Sequence, residues 1–167
     1  MIFRPTFLSA IYSIEITLAC MSCWFALPAL SIDKPVWALI TVIIVSDPDF
    51  TTTVKLITSR VINTLLGCVI SLVTVILFGA SVISLIIALS LTVFFVTSIV
   101  TYPTNWRLTP VTVALLLGSA ESAQSRQEEI HLALLRSTEI LSGCIVSLLL
   151  SWIISQLLIR YNSTRQL

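Results

Sequence analysis

Charge is what this chain has least of. Asp, Glu, Lys and Arg make up only 10% of its 167 residues, against about a quarter in a soluble domain. With 57% hydrophobic residues and a mean hydropathy of +1.06, it cannot supply a water-facing surface, so its solvent is lipid. Neither sign of charge prevails. A net charge of +1 gives no case for nucleic acid, where a clustered basic face would be expected. Histidine occurs once, at His131, and glycine four times. Four cysteines, Cys20, Cys23, Cys68 and Cys144, lie inside apolar runs and read as small packing residues. Cys20 and Cys23 share a helix face, yet no second ligand pair or nearby histidine completes a metal site. Nothing resembles a nucleophile with its base, a phosphate-cradling loop or a histidine–carboxylate cluster. The reading is of a non-enzyme without cofactor. Residues 1–167 are expected to form one membrane domain with no room for a soluble one. Arg4 precedes an apolar run longer than a signal-peptide core and without an A-x-A-like cleavage site, so this run is expected to stay as the first membrane helix.

What the chain does have is a repeat. Residues 60–72, RVINTLLGCVISL, return as residues 136–148, RSTEILSGCIVSL. Arg60/Arg136, Leu65/Leu141, Gly67/Gly143, Cys68/Cys144, Ser71/Ser147 and Leu72/Leu148 are identical, 76 positions apart. Leu56 and Leu132 keep that offset, as do Ala38-Leu39 and Ala114-Leu115. Pro28 and Pro35 recur as Pro103 and Pro110 at an offset one shorter. An ordered series of this kind argues for an internal duplication.

Residues 7–30 are apolar apart from Glu15 and a few hydroxyls, long enough to cross a core of ~30 Å. Pro28 and Pro35 bracket a polar elbow. The next run, 36–45, covers only about half that thickness at ~1.5 Å per residue. It ends in Ser46-Asp47-Pro48-Asp49, where proline bars the helix, and Thr51 to Thr53 offer N-caps for the third helix. That helix carries Lys55 and Arg60 before its apolar body, 61–78. Gly79-Ala80-Ser81 reverses the chain into a fourth crossing, 82–100. Tyr102, Pro103, Asn105, Trp106 and Arg107 form an interfacial cluster. Residues 111–117 are again a short run, ending at Gly118. Residues 119–129 are a loop and the wet start of helix six, whose apolar body is 140–159.

The expected fold is therefore all-α and integral to the membrane: six transmembrane helices, the second of each repeat short. The repeats span about 5–80 and 81–160. Three helices per repeat is an odd number, so the second copy must cross upside down, the inverted-repeat arrangement of many transporters. Placing both termini in the cytoplasm puts Arg4, Lys55, Arg60, Arg107, Arg160 and Arg165 inside, and Lys34, Arg126 and Arg136 outside. The positive-inside rule favours that orientation.

Short, Pro- or Gly-interrupted segments in matching places of two halves point to a binding site; the plainer alternative is two ordinary helices with polar ends at the surface. Arg60 and Arg136 are the leading candidates, because a guanidinium offers a planar donor fork for a carboxylate. Each can equally be an anchor that snorkels to headgroups. Glu139 lies one turn beyond Arg136 and should pair with it; Asn63 occupies the equivalent place beside Arg60. Lys55 aligns with His131, both polar residues in the first turns of their helices. Glu15 sits inside helix one, where an unpaired carboxylate costs on the order of 2–4 kcal/mol. It is a candidate for proton coupling, with Glu139 the second, or a member of a structural ion pair. Asp47 and Asp49 fit a surface turn. Gly67 and Gly143, with Ser71 and Ser147 four residues on, allow close helix approach, within the chain or between subunits.

The run PVWALITVIIVSDPDFTTTVKLITSRVINTLLGCVIS resembles the membrane module of the fusaric acid resistance and aromatic acid exporter superfamily. There a Trp-bearing short helix, a proline-containing loop and an R-x-x-x-T-x-x-G-like helix follow in order, matched here by Trp37, Pro48, Arg60, Thr64 and Gly67. The second half repeats Arg136 and Gly143, with Ile140 where the threonine would be. The resemblance implies an inner-membrane transporter or channel component exporting small, often aromatic, organic acids. The candidate substrate-binding set is then Arg60, Arg136, Asn63, Lys55 and Trp37. Many relatives carry a large cytoplasmic domain or a second membrane module, so this chain is expected to form a homo-oligomer or to work with a separate periplasmic or cytoplasmic partner subunit. The competing reading is a non-transporting membrane scaffold or assembly subunit.

Overall fold

Lipid leaves the backbone few ways to satisfy its N–H and C=O groups, and the chain uses the helical one. The computed structural model describes residues 7–30, 32, 35–99, 105–120 and 125–165. Among them are six α-helices and no strand. They are α1 (Phe7–Ala26), α2 (Val36–Val45), α3 (Phe50–Phe78), α4 (Val82–Ser98), α5 (Leu108–Ala120) and α6 (Arg126–Arg165). Pro28 has no N–H to continue the α1 ladder, and the chain tightens into a 3-10 turn, Leu27–Leu30.

Three segments are long and apolar enough to cross a bilayer: Ser9–Ala29, Phe50–Phe78 and Gln127–Arg160. The other three helices, α2, α4 and α5, have 10, 17 and 13 residues. The expected fourth crossing over 82–100 is thus a helix of ~26 Å at 1.5 Å per residue, ending at Ser98. Residue 100 and the Tyr102-Pro103 part of the interfacial cluster lie outside the described residues, as do Lys34 and most of the 31–34 elbow. Of that cluster, Arg107 stacks 5.5 Å from the Trp106 ring.

Helix boundaries follow local chemistry. Gly79 adopts φ 76°, a conformation that costs glycine nothing, and turns the chain between α3 and α4. Ser81 then caps α4 in a reciprocal box with Ser84. The expected threonine caps of α3 are displaced by Asp49. Its carboxylate accepts from the Thr52 N–H at 2.9 Å and from the Thr51 and Thr52 hydroxyls. A carboxylate before the first turn satisfies orphan donors and meets the helix dipole better than a hydroxyl does. Thr53 instead bonds back to Asp47, accepting from its N–H and donating to its carbonyl, each at 2.9 Å. Pro110 sits in the first turn of α5, where its missing N–H would have been an orphan anyway. α5 runs past Gly118 to Ala120, two residues beyond its expected end.

The chain divides into two compact units, Met1–Thr58 with Ser142–Leu167, and Ser59–Leu141. Their boundaries fall inside α3 and α6, not between the sequence repeats. In the first unit α1 packs on α2 and on its own 3-10 turn; in the second α4 packs on α5. The core of the second unit is Val75, Ala88, Val113 and Leu117.

The short helices correspond at a spacing different from the one expected. Ala38, Thr41, Val42 and Val45 of α2 are buried, and so are Thr109, Thr112, Val113 and Leu116 of α5, each 71 positions on. The glycine contacts use the same spacing. A methyl group on Gly143 would come 2.7 Å from the Ala38 carbonyl oxygen and 3.2 Å from Thr41 Cβ. One on Gly67 would come 2.8 Å from Thr112 Cβ and 3.4 Å from the Thr109 carbonyl oxygen. The pairings of Ala38 with Ala114 and Pro35 with Pro110, read from residue identity, are therefore not the packing equivalence. Steric fit against glycine, not identity, sets which turn of the short helix lies there.

Large apolar side chains point outward throughout. On α4, Ile83 is 72% and Phe94 64% exposed, while Ser84, Ala88, Thr92 and Val96, every fourth residue, are buried. This is the reverse of a water-soluble helix and the pattern of a membrane protein, where small and weakly polar faces meet each other.

Candidate functional site

The Ser59–Leu141 unit holds both copies of the repeated arginine. Arg60, on α3, is 1% exposed. One turn on, Asn63 is fully buried; its Nδ2 donates to the Ser59 carbonyl at 2.6 Å and also meets Ser59 Oγ at 3.3 Å. The Thr109 hydroxyl of α5 donates to Asn63 Oδ1. Thr64 donates to the Arg60 carbonyl at 2.7 Å, so the R-x-x-x-T spacing is a back-bond along one helix face. Gly67, three residues further, is where Thr112 approaches. Arginine, threonine and glycine at this spacing thus place a cation, a bonded hydroxyl and a gap on one stripe of α3.

The second copy differs. Arg136, its side chain 30% exposed, donates from Nη1 to Glu139 Oε2 at 2.8 Å, and Glu139 is buried. The i, i+3 pair expected from sequence is present. One residue along α6, the Ser137 hydroxyl lies 2.8 Å from Cys68 Sγ and 2.8 Å from the Ala133 carbonyl, tying α6 to α3 within this unit.

The other unit contains no repeated arginine and a different kind of site. A cavity of about 310 Å³ is lined by Glu15, Tyr12, Ser151, Ser155, Asp49 and Thr51, with Ile11, Ile154 and Leu158 among its apolar walls. Glu15 is 5% exposed and shares the cavity lining with Ser151, and its Oε1 has no hydrogen-bond partner. Beside it, Tyr12 donates to the Ser46 carbonyl at 2.9 Å, and Ser46 Oγ lies 2.9 Å from Ser147 Oγ. Asp49 is exposed at the turn before α3, and the hydroxyls and N–H it accepts from hold its carboxyl down at about 2.

The structure therefore places Arg60, Asn63, Arg136 and Glu139 in one unit, and Trp37, Glu15, Gly143 and Ser147 in the other. Lys55 is exposed and Trp37 half-buried, both in the second of these groups; His131 is exposed. Gly67 and Ser71 lie on the buried face of α3, Gly143 and Ser147 on that of α6. No group of three or more His, Cys, Asp or Glu side chains suited to a metal occurs among the described residues, and none of the four cysteines is in a disulfide. Sequence reasoning missed Thr109, Ser151 and Ser155. The signal was there for two of them: Ser147, Ser151 and Ser155 recur every four residues, a hydroxyl stripe along α6.

A family model described as fusaric acid resistance protein-like matches residues 20–150. No curated protein and no solved structure matches the chain.

Proposed function

Because the chain belongs to the fusaric acid resistance protein-like family, a family of membrane transport, we propose that it moves small organic acids, aromatic ones included, out of the cell. In this reading it sits in the inner membrane with both termini in the cytoplasm and crosses six times as two inverted three-helix repeats. A homo-oligomer, or a separate partner subunit, covers part of the exposed apolar faces.

One observation carries the proposal: the Arg60 guanidinium is 1% exposed in a chain whose outside is hydrocarbon-like. A cation at membrane depth costs about 2.5–3.5 kcal/mol by insertion scales. A carboxylate entering beside it gains charge-assisted, bidentate hydrogen bonds in a setting with little water. Asn63 and Thr109, one turn away, offer an amide and a hydroxyl to the rest of the ligand. Arg136 is the weaker site because its side chain is 30% exposed, where Arg60 is buried. Proton coupling falls to Glu15 or Glu139, the two carboxylates buried within helices among the described residues.

The test is release of labelled benzoate from proteoliposomes. Wild type should empty them faster than protein-free liposomes, Arg60→Gln should not, and Arg60→Lys should fall between. Equal release by wild type and Arg60→Gln would sink the assignment. The scaffold reading drew on the glycines as a contact between subunits. Gly143 meets Ala38, and Gly67 meets Thr112, each inside its own unit, so we do not favour it.

A further inference from the structure

The cavity beside Glu15 is unsuited to an acid. It is lined by two carboxylates, Glu15 and Asp49, and by no lysine, arginine or histidine among the described residues. A carboxylate ligand would be repelled there, and an N–H donor attracted. We infer that this cavity is a binding site for a small amphipathic organic cation, a protonated amine on an apolar body, held through Glu15.

Three observations specify that ligand. The acceptor is present and unused: Glu15 is 5% exposed, and its Oε1 lacks a hydrogen-bond partner. A buried acceptor of this kind is completed by a donor that brings its own positive charge. Asp49 adds a second negative charge among the lining residues, outside the helices. The volume sets the size. About 310 Å³ is some ten times the ~30 Å³ share of a water molecule, too much for a bare metal ion, and it lies at the small end of ligand pockets. The walls set the rest. Ile11, Ile154 and Leu158 suit an aromatic or aliphatic body, while Ser151 and Ser155 add hydroxyls to the lining for the ammonium's remaining protons. All of these residues belong to one unit, so the site needs nothing from the other. The inference stands whether or not the protein exports acids.

The experiment is equilibrium binding of tritiated phenethylamine to the purified full chain in zwitterionic nanodiscs at physiological sodium chloride. Wild type should show saturable single-site binding that unlabelled phenethylamine displaces and benzoate does not. Glu15→Gln should weaken binding about tenfold or more, the size of one lost charge-assisted hydrogen bond. Ser155→Phe, which keeps the carboxylate and fills the space, should do the same and decides the matter if Glu15→Gln fails to fold. Absence of saturable binding to wild type overturns the inference, as does undiminished binding by a folded variant or displacement by benzoate. A cavity filled by a lipid chain or by sodium would show as the first of these.

Discussion

The two compact units share a packing device and differ in nearly everything polar. In each, a glycine on a long helix lies against two residues of a short one: Gly67 against Thr109 and Thr112, Gly143 against Ala38 and Thr41. The polar groups around that device are not shared. The Ser59–Leu141 unit holds the two repeated arginines, an asparagine bonded by a threonine, and a glutamate paired to one of those arginines. The other unit holds a glutamate in a cavity beside hydroxyls, with an aspartate nearby. Packing in lipid needs small residues at fixed places, and such positions repeat. Ligand chemistry has no such constraint, so the two sites are free to carry opposite charge.

The largest expected effect tests the arginine site. Arg60→Ala should lower benzoate transport about a hundredfold or more, because a bidentate contact removes two charge-assisted bonds of about 1.5–3 kcal/mol each. Arg136→Ala should cost less, since that side chain is 30% exposed where Arg60 is buried. Equal losses in initial-rate assays would erase the distinction between a buried and a half-exposed arginine.

The packing device itself comes next. Gly143→Ala forces a methyl to 2.7 Å from a main-chain oxygen and 3.1 Å from a Cα, so it should destabilise by about 1–3 kcal/mol, near the upper end. Gly67→Ala meets the Thr112 side chain and should cost less. Unfolding in detergent, followed by tryptophan fluorescence, measures both, and the reverse order would show that the two contacts are not equivalent.

Smaller effects separate the hydrogen bonds. Thr109→Val removes the donor to Asn63 and should cost about 1 kcal/mol, a typical figure for a polar contact between membrane helices. Ser147→Ala, which removes the hydroxyl beside Ser46, should cost no more, since it leaves Ser46 its own helix to bond to.

The smallest concerns the turn before α3. The Asp49 carboxyl is held at about 2 in the folded chain, against an ordinary value of 3.8. A lowered folded value means its capping contribution is complete above about 4 and is lost as pH falls through about 2. Hydrogen exchange of the Thr51 to Thr53 amides should quicken over that window, and Asp49→Asn should flatten the response. An unaltered profile would remove the carboxylate as the cap.

Much of the fold was legible. The order of runs gave the order of helices, and Ser81 and Gly79 marked the reversal between α3 and α4 by turn chemistry alone. The Arg136–Glu139 pair followed from i, i+3 spacing. What was not legible involved two elements at once. Asp49 outcompetes three nearby threonines as a cap, and sequence alone could not rank them. Thr109 looked like one more hydroxyl in an apolar run until α5 set it against Asn63.

From its letters alone this chain determined its solvent, its helical class, its duplicated arginine and glycine, and the turns that divide its helices. Hydropathy, proline and capping act over a few residues and need no knowledge of neighbours. Only the tertiary structure decided that α2 and α5 correspond at 71 positions, that one unit gathers both arginines, and that Glu15 faces a cavity. The reason is the solvent. In water an apolar stripe marks the buried face, but in lipid inner and outer faces are both apolar, and helix partners are chosen by close steric fit that periodicity does not record.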